Sequence, residues 1–341
     1  KAGGQPTVAS RWLQRLKAVI GAEDYAALEA KGRIYLDWAH AIDLAATFEP
    51  ISEPRPMPAL ALRPSRIRVS EVETLIRDPY AIYARRILKL RPLDPLEQAP
   101  DAAMRGSLIH DALDAYVTSV AAGGKPGAET LIGIGELLFE RLDAFPEIKA
   151  YWWPRFVRLA RWFAAVDEEM RLGLTGRVSE KEGRAELPFP TRTIEIIARA
   201  DRIDILADGS LRIVDYKTGN PPSRKQIESG LAPQLPLEGA MALGGWFGDE
   251  VAGRPVSALE HLQVTGRTPP GLRDAFSPKE SSVDEVVQAS WQGLQSLLAR
   301  FEDETTPYLV KPRAAFVGRG TDYDHLSRIG EWSLAGGGGD E

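Results

Sequence analysis

The sequence contains no cysteine. That excludes disulfides, thiolate metal sites, cysteine-ligated iron–sulfur clusters and cysteine nucleophiles. No apolar run approaches the ~20 residues that a membrane-spanning helix needs, so no membrane partner is expected. The opening Lys1-Ala2-Gly3-Gly4 lacks the charged-then-apolar pattern of a secretory signal. With the missing thiols, this leads us to expect a cytoplasmic protein. No Gly-x-x-x-x-Gly-Lys loop occurs, so ATP hydrolysis is not expected of this chain. Nor is positive charge in excess. Lys and Arg number 42 against 48 Asp and Glu, a net charge of −6. That argues against a broad nucleic-acid-coating surface but leaves room for a local basic groove.

What is present is ordinary globular material: 341 residues, 44% hydrophobic and 26% charged. That is enough for about two domains, or one large domain with an appendage. Lacking an initiator Met, the chain is read as a fragment of something longer. Residues 1–50 carry helical periodicity through Trp12, Leu13, Leu16, Val19 and Ile20. Residues 51–64 are proline-dense and are expected to form a semi-rigid linker. Residues 65–330 form the main domain, and the glycine-rich end, 331–341, is expected to be a flexible tail. Within the main domain, helices are expected near 70–77, 80–88, 105–121, 127–144, 151–172, 231–245 and 283–303. Strands are expected at 185–189, 193–206, 211–216 and 256–264.

The chemistry concentrates in Ala200-Asp201-Arg202-Ile203-Asp204-Ile205-Leu206-Ala207-Asp208-Gly209-Ser210-Leu211-Arg212-Ile213-Val214-Asp215-Tyr216-Lys217. Two strands flank an Asp-Gly turn, with one acid in the first and Asp-x-Lys ending the second. Clustered carboxylates among Ile and Val are costly to bury unless a cation neutralises them, and a hard divalent ion suits such oxygen ligands. Turn length decides whether the acids meet. A two-residue turn sets Asp201 opposite Tyr216 and sends the acids to opposite faces. A three-residue turn with Gly209 left-handed sets Asp201 opposite Asp215, with Lys217 on the same face.

These residues resemble the core of PD-(D/E)xK nucleases of the RecB-like branch. Gly106-Ser107-Leu108-Ile109-His110 resembles the helix carrying that branch's Gly and His. Val214-Asp215-Tyr216-Lys217-Thr218-Gly219 resembles its most characteristic string, and Gln234 its glutamine; Glu238 stands where a tyrosine is usual. Ser70 to Ala84 and Tyr323-Asp324-His325-Leu326 are similar to the nuclease domain of the AddB subunits of bacterial AddAB helicase–nucleases. The resemblance implies an α/β restriction-endonuclease-like core, a mixed central sheet flanked by helices, with extra helices and an N-terminal helical segment. It implies a metal-dependent deoxyribonuclease of the exonuclease type, using Mg²⁺ with Mn²⁺ as a substitute, in double-strand-break repair and recombination. Its DNA would be a single strand delivered by an AddA-like helicase–nuclease partner, and the isolated fragment is expected to be monomeric. His110, Asp201, Asp215 and the Tyr216 carbonyl would be metal ligands. Lys217 would be the catalytic lysine, and Gln234 would position it or a phosphate. Many AddB proteins hold an iron–sulfur cluster. Here Asp78 stands at the first cysteine's place, so no cluster is expected and packing must join the two ends of the domain.

Arg224 and Lys225, just after the catalytic strand, and Arg85 and Arg86 are the expected DNA contacts. Arg155, Arg158 and Arg161 recur along an aromatic-rich helix, whose Trp152, Phe156, Trp162 and Phe163 read better as core than as base-stacking surface. Tyr80 and Tyr83 are further stacking candidates. Glu186 is read as structural. Two other readings remain open: a stand-alone Cas4-like single-strand exonuclease, and a non-catalytic DNA-binding scaffold with a degenerate site.

Overall fold

The computed structural model describes residues 8–44, 47, 51–93, 99–313 and 321–335. The chain divides into two compact units. The first contains α1 (Arg11–Ile20), capped by Ser10, and α2 (Ala22–Asp43). Gly21 separates them at φ 87°, a left-handed value that suits glycine.

The second unit, Glu53–Leu334, is built on one mixed sheet of six strands. It opens with β1 (Arg66–Arg68), α3 (Val69–Arg77) and α4 (Pro79–Ile82). Three longer helices follow: α5 (Ala102–Ala121), α6 (Ala128–Phe139) and α7 (Pro146–Arg171). Then come β2 (Leu174–Pro188), β3 (Thr193–Leu206) and β4 (Leu211–Lys217). The chain continues through α8 (Arg224–Glu228), α9 (Gln234–Leu243), β5 (Val256–Val264), β6 (Gly271–Ala275) and α10 (Val283–Glu302). It closes with α11 (Asp324–Ser327) and α12 (Ile329–Ala335). β3 pairs antiparallel with β2 and β4, β4 pairs parallel with β5, and β6 closes one edge antiparallel. β1 runs parallel to β3 at its N-terminal part, Glu195–Ile197.

Alternation along the strands sorts two cores. Val214, Tyr216, Leu262 and Val264 pack under α5, α6 and α7. Ile203, Ile205, Leu211, Ile213 and Leu259 pack under α3, α9 and α10. Both faces are covered, which is why β4 is buried at every position but its last. Trp152, Phe156 and Phe163 lie in the first core, as their helical spacing implied.

Three expectations need correction. From Glu53 onward the proline-rich stretch belongs to the second unit and works as a strap. Buried Arg63 donates to the carbonyls of Pro58, Phe301, Asp303, Glu304 and Thr306. The amide of Tyr308 donates to Pro56 O at 2.9 Å. The expected tail is helical as far as Ala335, and Trp332 Nε1 donates to Ser327 O; its remainder, 336–341, lies outside the described residues. β2 begins at Leu174, eleven residues before the strand expected from Ala185, because its first half is polar and only half-buried.

Packing does join the two ends of the domain. Tyr80, Ala81, Ala84, Val310 and Tyr323 form one buried cluster. The amide of Tyr80 donates to Leu309 O at 3.0 Å, and the amide of Lys311 to buried Asp78 Oδ1 at 3.3 Å.

Candidate active site

The hairpin turn between β3 and β4 has three residues. Leu206 N donates to Ser210 O at 2.9 Å, Gly209 takes φ 83°, and Arg202 pairs with Val214. Counting back one pair sets Asp201 opposite Asp215, as the bulged alternative requires. The strands begin to part there, and Asp201 Oδ2 accepts the Tyr216 amide at 2.8 Å.

Asp215 points to the α9 side and meets the start of that helix. Lys217 Nζ donates to Asp215 Oδ1 at 3.0 Å and to Gln234 Oε1 at 3.1 Å. Gln234 Nε2 donates to Asp215 Oδ1 at 3.0 Å and to Glu238 Oε1 at 3.1 Å. Every residue of α9 through Glu238 up to Ala242 is buried after Gln234, so Glu238 is no solvated charge; it closes the site from below. Burial, then the charges of Asp215 and Asp201, push its carboxyl well above the usual range. Lys217 is shifted upward. Burial is the largest single influence and opposes its charge, but the charge and hydrogen bond of Asp215, with Glu238 and Asp201, together outweigh it.

His110 comes from the α5 side. Gly106 brings that helix close, since a Cβ there would lie 3.3 Å from Thr218 Oγ1. One turn later, His110 Nδ1 stands 3.8 Å from Asp201 Oδ2. A cleft of about 440 Å³ opens here, lined by Gly106, His110, Glu180, Arg199, Asp201 and Thr218.

Glu180 is the member that the sequence reading missed. Ser179 pairs with Arg202 and Lys181 with Ala200, so Glu180 faces Asp201 across the β2–β3 ladder. Its φ of 49° is unusual for a side-chain-bearing residue, and such backbone concentrates at functional sites. Donor atoms of His110, Glu180 and Asp201 all lie within 4.8 Å of one another. Burial, and next the charge of Asp215, push the Asp201 carboxyl up to about 7. Asp215 Oδ2 and Glu238 Oε2 are buried without hydrogen-bond partners. Crowded acids, a histidine and an orphaned carboxylate oxygen fit a hard divalent cation.

Of the expected site residues, the structure gathers His110, Asp201, Asp215, Tyr216, Lys217 and Gln234. Tyr216 takes part through its backbone, its ring being buried under α5 and α7. Arg224 and Lys225 are exposed on α8, with Arg224 Nε 4.0 Å from Glu228. Arg85 and Arg86 are not brought to the cleft. Arg86 donates to Arg66 O on β1, which pairs with the far part of β3, and lies 3.7 Å from Glu71. Tyr80 is buried, so it offers no stacking face. Glu186 is exposed and pairs across the ladder with Glu195, away from the acids.

A protein of Rickettsia bellii is 34% identical over 185 residues, which cover 54% of this chain and 22% of the relative. One of Rickettsia conorii is 33% identical over 189 residues, covering 54% of this chain and 23% of its own. Both are described as uncharacterized proteins, and the chain spans about a fifth of their length. The solved structure of SSO0001 aligns with 68% of this chain and 76% of its own at 10% identity, with a TM-score of 0.28. The family model of the PD-(D/E)XK nuclease superfamily matches residues 66–309, which contain the whole constellation around Asp201, Asp215 and Lys217. That family comprises hydrolytic nucleases that use divalent metal ions, and the chain belongs to it.

Proposed function

We propose that this domain hydrolyses DNA phosphodiester bonds and trims strands from an end. A divalent cation, Mg²⁺ or in its place Mn²⁺, would be held by His110, Glu180, Asp201, Asp215 and the Tyr216 carbonyl. The observation that carries the reading is the contact of Lys217 Nζ with Asp215 Oδ1 at 3.0 Å, one strand away from Asp201. When bound, the cation polarises the phosphodiester and stabilises charge on the attacking and leaving oxygens.

The chain's own residues do the remaining work. Lys217 keeps its proton at neutral pH, because the Asp215 carboxylate holds its pKa up. Its ammonium therefore orients the attacking water and offsets negative charge on phosphate oxygens, rather than abstracting a proton. Gln234 fixes Lys217 through its carbonyl oxygen and Asp215 through its amide, so neither needs to reorganise as charge develops. Glu238 anchors Gln234 by accepting from its side-chain amide at 3.1 Å.

We also assign this nuclease to double-strand-break repair and recombination in the cytoplasm, acting on a strand supplied by an AddA-like helicase–nuclease partner. The support is the likeness of residues 70–84 and 323–326 to AddB nuclease domains.

Incubation of labelled single-stranded DNA with Mg²⁺ or Mn²⁺ tests the reading. Lys217→Ala and Asp215→Asn are expected to lower cleavage about a thousandfold while circular dichroism stays unchanged. Equal cleavage by all three proteins would refute the assignment.

A further inference from the structure

Next in the chain to Gly106, which lines the cleft, begins a concentration of positive charge that the site does not use. Arg105 precedes Gly106, the residue that packs against Thr218. Arg155 lies on α7, and Arg267 in the turn after β5. Three contacts draw these segments together. Gly266 is pressed against α7 so closely that a Cβ would meet Arg155 O at 2.3 Å. Arg158 Nη2 donates to Gly266 O at 3.0 Å. Gln263, paired with Lys217 across β4 and β5, donates to Gly219 O at 2.9 Å. The turn bearing Arg267 thus leaves the sheet at the same end as Lys217.

These guanidiniums are unusual in a chain of net charge −6. Among the described residues, no carboxylate forms an ion pair with Arg105, Arg155 or Arg267, in contrast to Arg224 beside Glu228. Arg105 Nε is buried and has no hydrogen-bond partner. Burial, and then the charges of Arg267 and Arg155, hold the Arg105 pKa below its usual value, so the cluster repels itself. Self-repulsion in the folded state is relieved by an anion, and several planar guanidiniums in series suit successive phosphates. The Arg155 guanidinium also lies 4.0 Å from the centre of the Tyr151 ring, which is 59% exposed. A charged track beside an open aromatic face is how single strands are held without regard to sequence.

We propose that Arg105, Arg155 and Arg267 bind successive phosphates of a single nucleic-acid strand, with Tyr151 stacking a base, and so guide that strand along the rim of the cleft at the carboxyl ends of β4 and β5. The inference rests on the nuclease reading and extends it to the path of the substrate.

Fluorescence anisotropy of a labelled single-stranded oligonucleotide, in EDTA and between about 50 and 200 mM NaCl, tests the track separately from cleavage. Combined Arg105→Gln, Arg155→Gln and Arg267→Gln is expected to reduce the slope of log affinity against log salt by about 2, at ~0.7 per phosphate contact. Arg267→Gln alone, at an exposed position where folding is not at stake, is expected to remove about a third of that change. Tyr151→Ala is expected to weaken binding with little effect on the slope, whereas Arg141→Gln, already paired with Asp111, is expected to leave binding unchanged. An unaltered slope in both arginine variants, alongside wild-type cleavage in Mg²⁺, would overturn the track and leave the nuclease reading intact. Altered slopes with no wild-type cleavage would uphold the track and overturn the nuclease reading.

Discussion

Asp201 and Asp215 stand level on adjacent antiparallel strands because Gly209 takes a left-handed backbone conformation. With φ at 83°, Gly209 adds the third residue to the turn, and Asp208 Oδ1 holds it by accepting the Ser210 amide at 2.9 Å. Losing that residue from the turn would rotate every side chain of one strand relative to the other and part the two acids.

Substituting Gly209 therefore tests the turn. The space is open, with Arg254 Nη1 3.4 Å from a Cβ, so backbone strain is the main cost. Gly209→Ala is expected to lose about 1–2 kcal/mol in urea unfolding, and Gly209→Asn less, because Asn tolerates the left-handed region. Cleavage by the folded fraction is expected to stay near wild type. Equal stability of all three proteins would mean that the turn does not need its glycine.

The Asp201 carboxyl gives the metal-free protein a pH dependence of definite sign. Its pKa is pushed up to about 7 from 3.8, by burial first and Asp215 second. Between those values the folded state binds more protons than the unfolded chain, so this contribution to stability is present below about pH 4 and is lost as pH rises through about 7. Thermal melting in EDTA is expected to contain a component that falls over that window and is absent from Asp201→Asn. Mn²⁺ must displace the proton, so it is expected to raise the melting temperature more at about pH 8 than at about pH 6. A larger Mn²⁺ effect at the lower pH would rule out Asp201 as a ligand.

Much of this site could be read from local patterns. Asp208-Gly209 between two apolar runs announced the hairpin, Asp215-x-Lys217 the charged end of its second strand, and Gly106 with His110 one helical turn apart the approach of α5. Glu180 was hidden because residues 174–183 lack apolar alternation. Its place follows only by counting pairs back from the turn at 189–192, where Leu187 meets Ile194. Glu238 was hidden differently. In the run Gln234-Leu235-Pro236-Leu237-Glu238-Gly239-Ala240-Met241 only Gln234 and Glu238, one turn apart, are polar, and a helix with so narrow a polar stripe is mostly buried. The burial of Glu238 was thus implicit in its neighbours. β1 and β6 escaped because one has three residues and the other is exposed at all but its first. The join that Tyr80, Ala81 and Ala84 make with Val310 and Tyr323 depends on long-range pairing that no local pattern encodes.

One face of β3 carries a buried charge network. Arg202 and Asp204 are fully buried, and Arg202 binds Asp204 through 2.9 and 2.7 Å hydrogen bonds and Asp167 of α7 at 3.0 Å. Arg177 of β2 and Arg212 of β4 also donate to Asp204, each at 2.7 Å, so three strands converge on one carboxylate, and α7 joins them through Asp167. These cations hold its pKa down to about 2, against the opposing effect of burial. Asp204→Asn removes the charge but keeps the volume, leaving Arg202 buried with less than its due compensation. Breaking such a network is expected to cost about 3–5 kcal/mol. Because Arg202 adjoins Asp201 in the chain, the loosened strand should also displace the proposed metal ligands. We expect Asp204→Asn to lower the urea midpoint and to weaken Mn²⁺ binding at pH values where the protein is still folded. A variant that loses stability but binds Mn²⁺ as tightly as wild type would show that the network braces the fold without setting the geometry of the site.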